Sequence, residues 1–409
     1  MLESKLSING KPVRGFNMYR RVILIVLDGT GVGALPDANL YGDTDAATLQ
    51  HVASTVGGLT LPNLQNLGLG NVAPIHGVAP LSNPHGCWGK MVERSPGKDS
   101  VTGHWELAGV ISSEPFATFP QGFPEEIISA FTALTGLVPI GNVAASGTDI
   151  LRQLGEEHMQ TGQPIVYTSS DSVFQIAAHE SVISPEKLYE ICRQAEEILQ
   201  PYNVCRVIAR PFAGTAATNF SRTSRRRDFS QAPDQKTLLD RMADCHLNVC
   251  GVGKIKDLYS GCRLTHSYSS KHNVQGMELT LDALKEINQG LVMTNLVDFD
   301  MLYGHRLDPK GFAAALEEFD SWLPRLFDKM NQDDLLLVTA DHGCDPTTSG
   351  TDHSREYVPL LAWSPSLRCG EPLGVRDCFA DVGAVIAENF AVSFNCGSSF
   401  LPQLRSASV

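Results

Sequence analysis

Three stretches of the chain follow one pattern: RRVILIVLDGTGVG at 20–33, LVMTNLVDFD at 291–300 and DDLLLVTADHG at 333–343. An apolar run of this kind, bounded by turn residues, reads as a strand buried on both faces, as in a parallel sheet covered by helices. Each run ends in acidic or imidazole side chains: Asp28, Asp300, and Asp341 with His342. Open α/β sheets place their binding sites at those carboxyl ends. A single Asp after a strand is ordinarily a helix cap or a turn residue. Three in equivalent places point to a shared site.

The segments between carry helical periodicity. In GFAAALEEFDSWLPRLFDKM, residues Phe312, Leu316, Phe319, Leu323 and Leu326 recur at spacings of four and three, and Pro324 predicts a kink. SPEKLYEICRQAEEIL opens with Ser184 as N-cap and Pro185 at the first helical position. Strands alternating with such helices predict an α/β fold with a mostly parallel sheet flanked by helices. The middle of the chain differs, with many turn residues and the basic run SRTSRRRD at 221–228. The strand-end motifs lie outside it, on both flanks. This predicts a core of residues 18–114 and 232–409, interrupted by an inserted cap at 115–231. Residues 1–17 read as an N-terminal extension, or as a segment ahead of a natural start at Met18.

Hydrophobic residues at 43% and charged residues at 19% exclude a disordered chain. A net charge of −13 argues against a nucleic-acid or anionic-membrane partner. An anionic substrate would need positive potential created locally. The ten cysteines include no C-x-x-C pair, and Cys245 and Cys250 are the nearest two, which fits reduced cytosolic thiols. The polar N-terminus reads as no signal peptide. No run approaches the roughly 18 apolar residues of a membrane span. The expected location is the cytoplasm.

The strand ends and the loops after them supply Asp28, Asp300, Asp341 and His342, with His305 in DFDMLYGHR and His353 in GTDHSRE. Three carboxylates and three imidazoles suit two divalent cations of the Mn, Zn or Mg kind. Such ions, ~3.5–4 Å apart, form the clamp used for in-line phosphoryl displacement. Two dications against three carboxylates leave one positive charge, which an alkoxide would neutralise. GKDSVTGHWE at 97–106 offers two hydroxyls, Ser100 and Thr102, with no base beside them. Metals that lower a hydroxyl's pKa remove the need for one. His51, His76 and His179 read as structural.

From about Arg20 onward the chain resembles the phosphopentomutase family of the alkaline phosphatase superfamily. The matching stretches, in order, are VLDGTGVGALPDA, GKDSVTGHWELAGV, SGTDILRQLGEEHM, IVYTSSDSVFQIAAHE, RVIARPF, GVGKIKDLY, NLVDFDMLYGHR, TADHGCDP and GTDHSREYVPLL. The resemblance implies an alkaline-phosphatase-like core with an inserted α+β cap. It implies two Mn2+ ions, one on Asp28, Asp341 and His342, the other on Asp300, His305 and His353. It makes Ser100, directly after Lys98-Asp99, the nucleophile in place of the family's usual Thr, and leaves Thr102 without that role. On the cap side it brings Ser169, Asp171 and Val173 to a pentose. Arg206, with Lys254 from the core, would take the distal phosphate, Arg bidentately and Lys as a point charge. Arg210 and Arg222 are further candidates, and Arg225 to Arg227 read as a solvated face. Other departures are Gly29 for Ser, Leu307 for an Arg after His305, and Arg227 for His.

The implied activity interconverts ribose 1-phosphate and ribose 5-phosphate, and the 2-deoxyribose pair. It passes through phospho-Ser100 and a pentose 1,5-bisphosphate, is primed by a sugar bisphosphate, and relies on cap closure to exclude water. The partner is then a small phosphorylated pentose. A metal-dependent phosphatase would share the metal sites without a cap that grips a sugar. A cofactor-independent phosphoglycerate mutase also pairs Ser with two metals, but its substrate-side motifs are absent here. Oligomeric state has no signature in the sequence.

Overall fold

The computed structural model describes residues 18–169, 172–261 and 263–408, with the backbone of a strand pair at Ser7–Ile8 and Lys11–Pro12. The three apolar runs become the strands Arg21–Leu27, Gly290–Leu296 and Asp334–Thr339. They are immediate parallel neighbours with Arg21–Leu27 in the middle. Arg21 stands opposite both Gly290 and Asp334, so the carboxyl ends finish side by side. Alternate residues face opposite sides. Val22, Leu24 and Val26 pack with Leu291, Met293, Leu335 and Leu337. Ile23, Ile25 and Leu27 pack with Val292, Leu336 and Val338. With both faces covered, apolar side chains predominate at both alternating positions, which is why the runs lack alternation; the buried polar exceptions, such as Arg21, Asp334 and Asn295, have partners across the fold.

The full sheet runs in the order His266–Tyr268, Asn248–Val252, Gly290–Leu296, Arg21–Leu27, Asp334–Thr339, Val358–Trp363, Cys87–Met91, Pro372–Arg376. The first five strands are parallel, and Val358–Trp363 is antiparallel to both of its neighbours. The expected mostly parallel sheet is present, with a mixed rim. Helix Pro309–Phe327 covers one face and buries Phe312, Leu316, Phe319, Leu323 and Leu326. It runs on through Pro324 rather than ending there. The Asp320 carbonyl, which Pro324 cannot bond, accepts from Asn63 Nδ2 at 2.9 Å. Beneath the central strands, the buried Arg21 donates through Nε to Asp334 Oδ1 at 3.0 Å and through Nη1 to the carbonyls of Leu284 and Ile287.

A second sheet is drawn wholly from residues 140–230. Its strands are Ile140–Ala144, Ile165–Thr168, Val173–His179, Arg206–Ala213 and Arg227–Ser230, with Ser221–Arg222 paired to Arg206–Ala213. Helices Glu125–Thr135 and Pro185–Leu199 bury Phe131, Leu188 and Ile191 against one face. Helix Gly147–Thr161 packs Ile150 and Leu151 on the other. Ser184 accepts from the Lys187 N–H as the N-cap, with Pro185 following. Among the described residues, no helix is long and apolar enough to cross a membrane.

Candidate active site

Asp28 follows the central strand directly, and Asp341-His342 follow Asp334–Thr339 after one residue. Their register places them together. His342 Nε2 lies 3.4 Å from Asp28 Oδ1 and 3.4 Å from Asp341 Oδ2. The Gly29 N–H donates to Asp341 Oδ1 at 3.1 Å. Gly29 has φ +76°, and a Cβ there would stand 2.9 Å from that of Cys344. Glycine holds this left-handed angle without strain and leaves the space beside Cys344 clear.

Asp300 is not at the strand end itself. It sits beyond Gly290–Leu296 on a π-helical turn, Phe299–Gly304, in which the His305 N–H reaches the Asp300 carbonyl at 3.1 Å. A wide turn of this kind brings residues five apart onto one side, and π turns recur at functional sites. His305 Nε2 is therefore 3.3 Å from Asp300 Oδ1. His353 arrives from the loop before Val358–Trp363, with Nε2 3.1 Å from Asp300 Oδ1 and 3.1 Å from His305 Nε2. His342 also groups with Asp300 and His353, so the two trios abut. The Cys344 thiol lies within reach of Asp300 and His305. A sequence reading passes over it, because no second cysteine marks it.

The imidazoles are held for ligation. His305 Nδ1 is 2.6 Å from the Thr351 carbonyl and His342 Nδ1 is 3.0 Å from that of Gly343. Each Nδ1 is thereby the donor, and each Nε2 turns to the carboxylates. Asp341 Oδ2 is buried and accepts no hydrogen bond, and the buried Asp300 Oδ1 faces only imidazole nitrogens. Buried carboxylate oxygens are costly in that condition unless a cation compensates them. The donor set therefore fits two divalent ions.

Charge agrees with this. Burial alone would raise the Asp28 carboxyl, but Lys254, 3.4 Å away, and His342 outweigh it and hold it well below the usual range. Burial likewise opposes Asp300, yet His353 keeps it ionised. Burial would lower His342, whereas Asp341, Asp28 and Asp300 push it well above the ordinary imidazole value. A proton on His342 is what a metal ion would displace.

Ser100 opens helix Ser100–Leu107, with Asp99 as N-cap accepting from the N–H groups of Val101 and Thr102. Its Oγ lies 3.2 Å from Asp28 Oδ1 and 3.1 Å from His342 Nε2. The Thr102 hydroxyl turns inward and donates to Asp99 Oδ2 at 2.6 Å. The structure brings Ser100 to the trio and keeps Thr102 away. Lys98 Nζ bridges Asp43 at 3.1 Å and Asp352 at 3.4 Å, tying this loop to the one that carries His353.

A cavity of about 340 Å³ opens over the site. Ser100, Phe116, Asp300, His305, His353 and Lys254 line it from the first sheet's side, and Ser172 and Arg206 from the second's. Arg206 and Lys254 are thus brought together with Ser100. Ser169 and Val173 flank Ser172 without lining the cavity, and Asp171 lies outside the described residues. Arg210 turns to Gln175 Oε1 at 3.1 Å, and Arg222 sits on the strand Ser221–Arg222; neither reaches the cavity wall. Leu307, exposed beside the π turn, holds a left-handed φ of +55°. His51 and His179 have structural partners, Asp345 and the Gly214 carbonyl.

Sequence reasoning missed two buried residues at the site's base. His104 Nδ1 is 2.8 Å from the Ser100 carbonyl, and Asn295 Nδ2 donates to Asp28 Oδ2 at 3.0 Å. Asn295's local signal is polarity inside an apolar run, and His104's is its place in GKDSVTGHWE.

Residues 20–394 match the metalloenzyme superfamily. The phosphopentomutase of Syntrophotalea carbinolica is 58% identical over 386 residues, covering 94% of this chain and 98% of its own. That of Desulfitobacterium hafniense is 54% identical, covering 94% and 100%. Among solved structures, the PH0037 protein from Pyrococcus horikoshii superposes with a TM-score of 0.48 at 16% identity, over 93% of this chain and 100% of that one.

Proposed function

The chain belongs to the phosphopentomutase family within the metalloenzyme superfamily, and from that premise we propose that it interconverts the 1- and 5-phosphates of ribose and of 2-deoxyribose. The reading rests on one convergence: the Ser100 hydroxyl beside Asp28 and His342, in a cavity that also holds Arg206 and Lys254. Asp28, Asp341 and His342 would hold one Mn2+, and Asp300, His305 and His353 a second. When bound, such ions supply Lewis-acid stabilisation of charge on the transferring group and on the Ser100 oxygen.

The chain's own residues do the rest. Phospho-Ser100 gives its phosphoryl group to the free C1 or C5 oxygen of the pentose; the bond to Ser100 Oγ breaks as the bond to sugar oxygen forms. The pentose 1,5-bisphosphate so produced returns its other phosphate to Ser100. Arg206 and Lys254 hold the distal phosphate meanwhile. Residues 115–231 act as a cap, with Ser169, Asp171 and Val173 approaching the sugar on closure and Arg210 and Arg222 adding positive charge behind them. Closure excludes the water that would hydrolyse the phosphoenzyme. A sugar bisphosphate primes Ser100, and the reaction belongs to the cytoplasm, in keeping with ten cysteines that include no C-x-x-C pair.

The test is incubation with Mn2+, a priming bisphosphate and ribose 5-phosphate, following ribose 1-phosphate against free phosphate. Ribose 1-phosphate is expected. Free phosphate alone would overturn the mutase reading in favour of a phosphatase.

A further inference from the structure

We propose that His104 and Asn295 form a positioning pair that fixes the Ser100 backbone to the Asp28 carboxylate, and so sets the Asp28–Asp341–His342 site before a cation arrives. The inference rests on the metal reading above. Both residues are fully buried. They come from different elements, the helix Ser100–Leu107 and the strand Gly290–Leu296.

The hydrogen positions follow from the acceptors. His104 Nδ1 faces the Ser100 carbonyl at 2.8 Å and must donate to it. Asp341 Oδ2 is also only 3.1 Å from Nδ1, yet accepts no hydrogen bond, because the N–H is directed at Ser100. That oxygen keeps its lone pairs for a cation. With Nδ1 protonated, Nε2 is an acceptor, and Asn295 Nδ2 stands 3.4 Å from it. The same amide nitrogen donates to Asp28 Oδ2 at 3.0 Å. Reversing the amide would put its oxygen against a carboxylate, so the orientation is settled by charge. Asn295 Oδ1 is left buried without a partner. A local cost of that kind is tolerated where the other end of the group has a fixed task.

The pair thus links three points: the Ser100 carbonyl, His104, and Asp28 through Asn295. Tyr259 secures the far side by donating to the His104 carbonyl. Gly103 lets the helix lie close enough for the ring to reach, since a Cβ there would stand 2.0 Å from the Asp341 carbonyl oxygen. Residues that orient metal-binding carboxylates and imidazoles typically change metal affinity by about 10- to 100-fold when removed.

The experiment is a calorimetric titration of the metal-free full chain with Mn2+. Wild type is expected to bind two ions. In His104→Leu, one ion should weaken by about 10- to 100-fold while the other stays within about threefold. His104→Asn, which keeps an amide donor near the Nδ1 position, should recover most of the loss. Asn295→Leu, alike in branching and on a separate element, carries the same expectation should His104→Leu fail to fold. Equal weakening of both ions, or no weakening of either, overturns the positioning role. A wild type that binds no Mn2+ overturns the metal reading instead.

Discussion

Gly103 lies against the Asp341 carbonyl so closely that a methyl group at position 103 would stand 2.0 Å from that oxygen. The helix carrying Ser100 therefore meets the strand end carrying Asp341 backbone to backbone. Gly103→Ala must push the two apart. Misplacement of a reacting group by about 1 Å can cost on the order of 100-fold, and a loss of that size in kcat is expected. Steady-state kinetics of the variant, alongside its melting temperature, checks this; a folded variant with unchanged kcat would contradict the close-contact account.

The two hydroxyls of GKDSVTGHWE separate in space, so they should separate in chemistry. After priming, intact-mass analysis should show one phosphoryl adduct on the wild type, none on Ser100→Ala, and one on Thr102→Ala. Because Thr102 Oγ1 donates to the Asp99 cap at 2.6 Å, Thr102→Ala should lose about 1 kcal/mol of stability instead. An adduct that survives Ser100→Ala and disappears in Thr102→Ala would reverse the assignment.

His158 offers a pH test away from the metals. Its Nδ1 donates to the Gln163 carbonyl at 2.7 Å, and its Nε2 accepts from the His179 N–H at 2.8 Å. Burial holds the ring below the ordinary imidazole pKa. The unfolded chain therefore binds the proton more readily, and the stabilisation is complete above about 6.5, the unfolded value. It is lost as pH falls from there through the depressed folded value. Wild type minus His158→Gln, followed by urea unfolding from pH 8 to pH 5, should shrink on acidification. A difference that is flat or growing would rule out a neutral His158.

Arg21 and Asp334 form a buried pair at the base of the central strands, with the guanidinium also serving the carbonyls of Leu284 and Ile287. Arg21→Met leaves the Asp334 carboxylate without its counter-charge. A loss of about 3–5 kcal/mol is expected. Adding Asp334→Leu should restore a large part of it, since the penalty comes from the stranded charge. Denaturant midpoints of the two variants decide this. A double variant no more stable than the single would show that the pair itself, not its imbalance, carries the stability.

The sequence alone determined the strands, through apolar runs that only two-sided burial explains. It also singled out the six candidate metal-binding side chains, because acidic and imidazole residues at strand ends and in the loops that follow them are locally conspicuous. Ser184 and Pro185 marked their helix start for the same reason: caps are read within a few residues. Only the tertiary structure decided that the strands of residues 28, 300 and 341 lie side by side, because strand order depends on contacts hundreds of residues apart. It decided that Asp300 and His305 meet on a π turn, and that the Asp320 carbonyl finds Asn63 so that Pro324 does not end its helix. It decided which hydroxyl of GKDSVTGHWE faces the carboxylates. It also revealed His104, Asn295 and Cys344, whose importance lies in what they touch across the fold, a property that no spacing along the chain records.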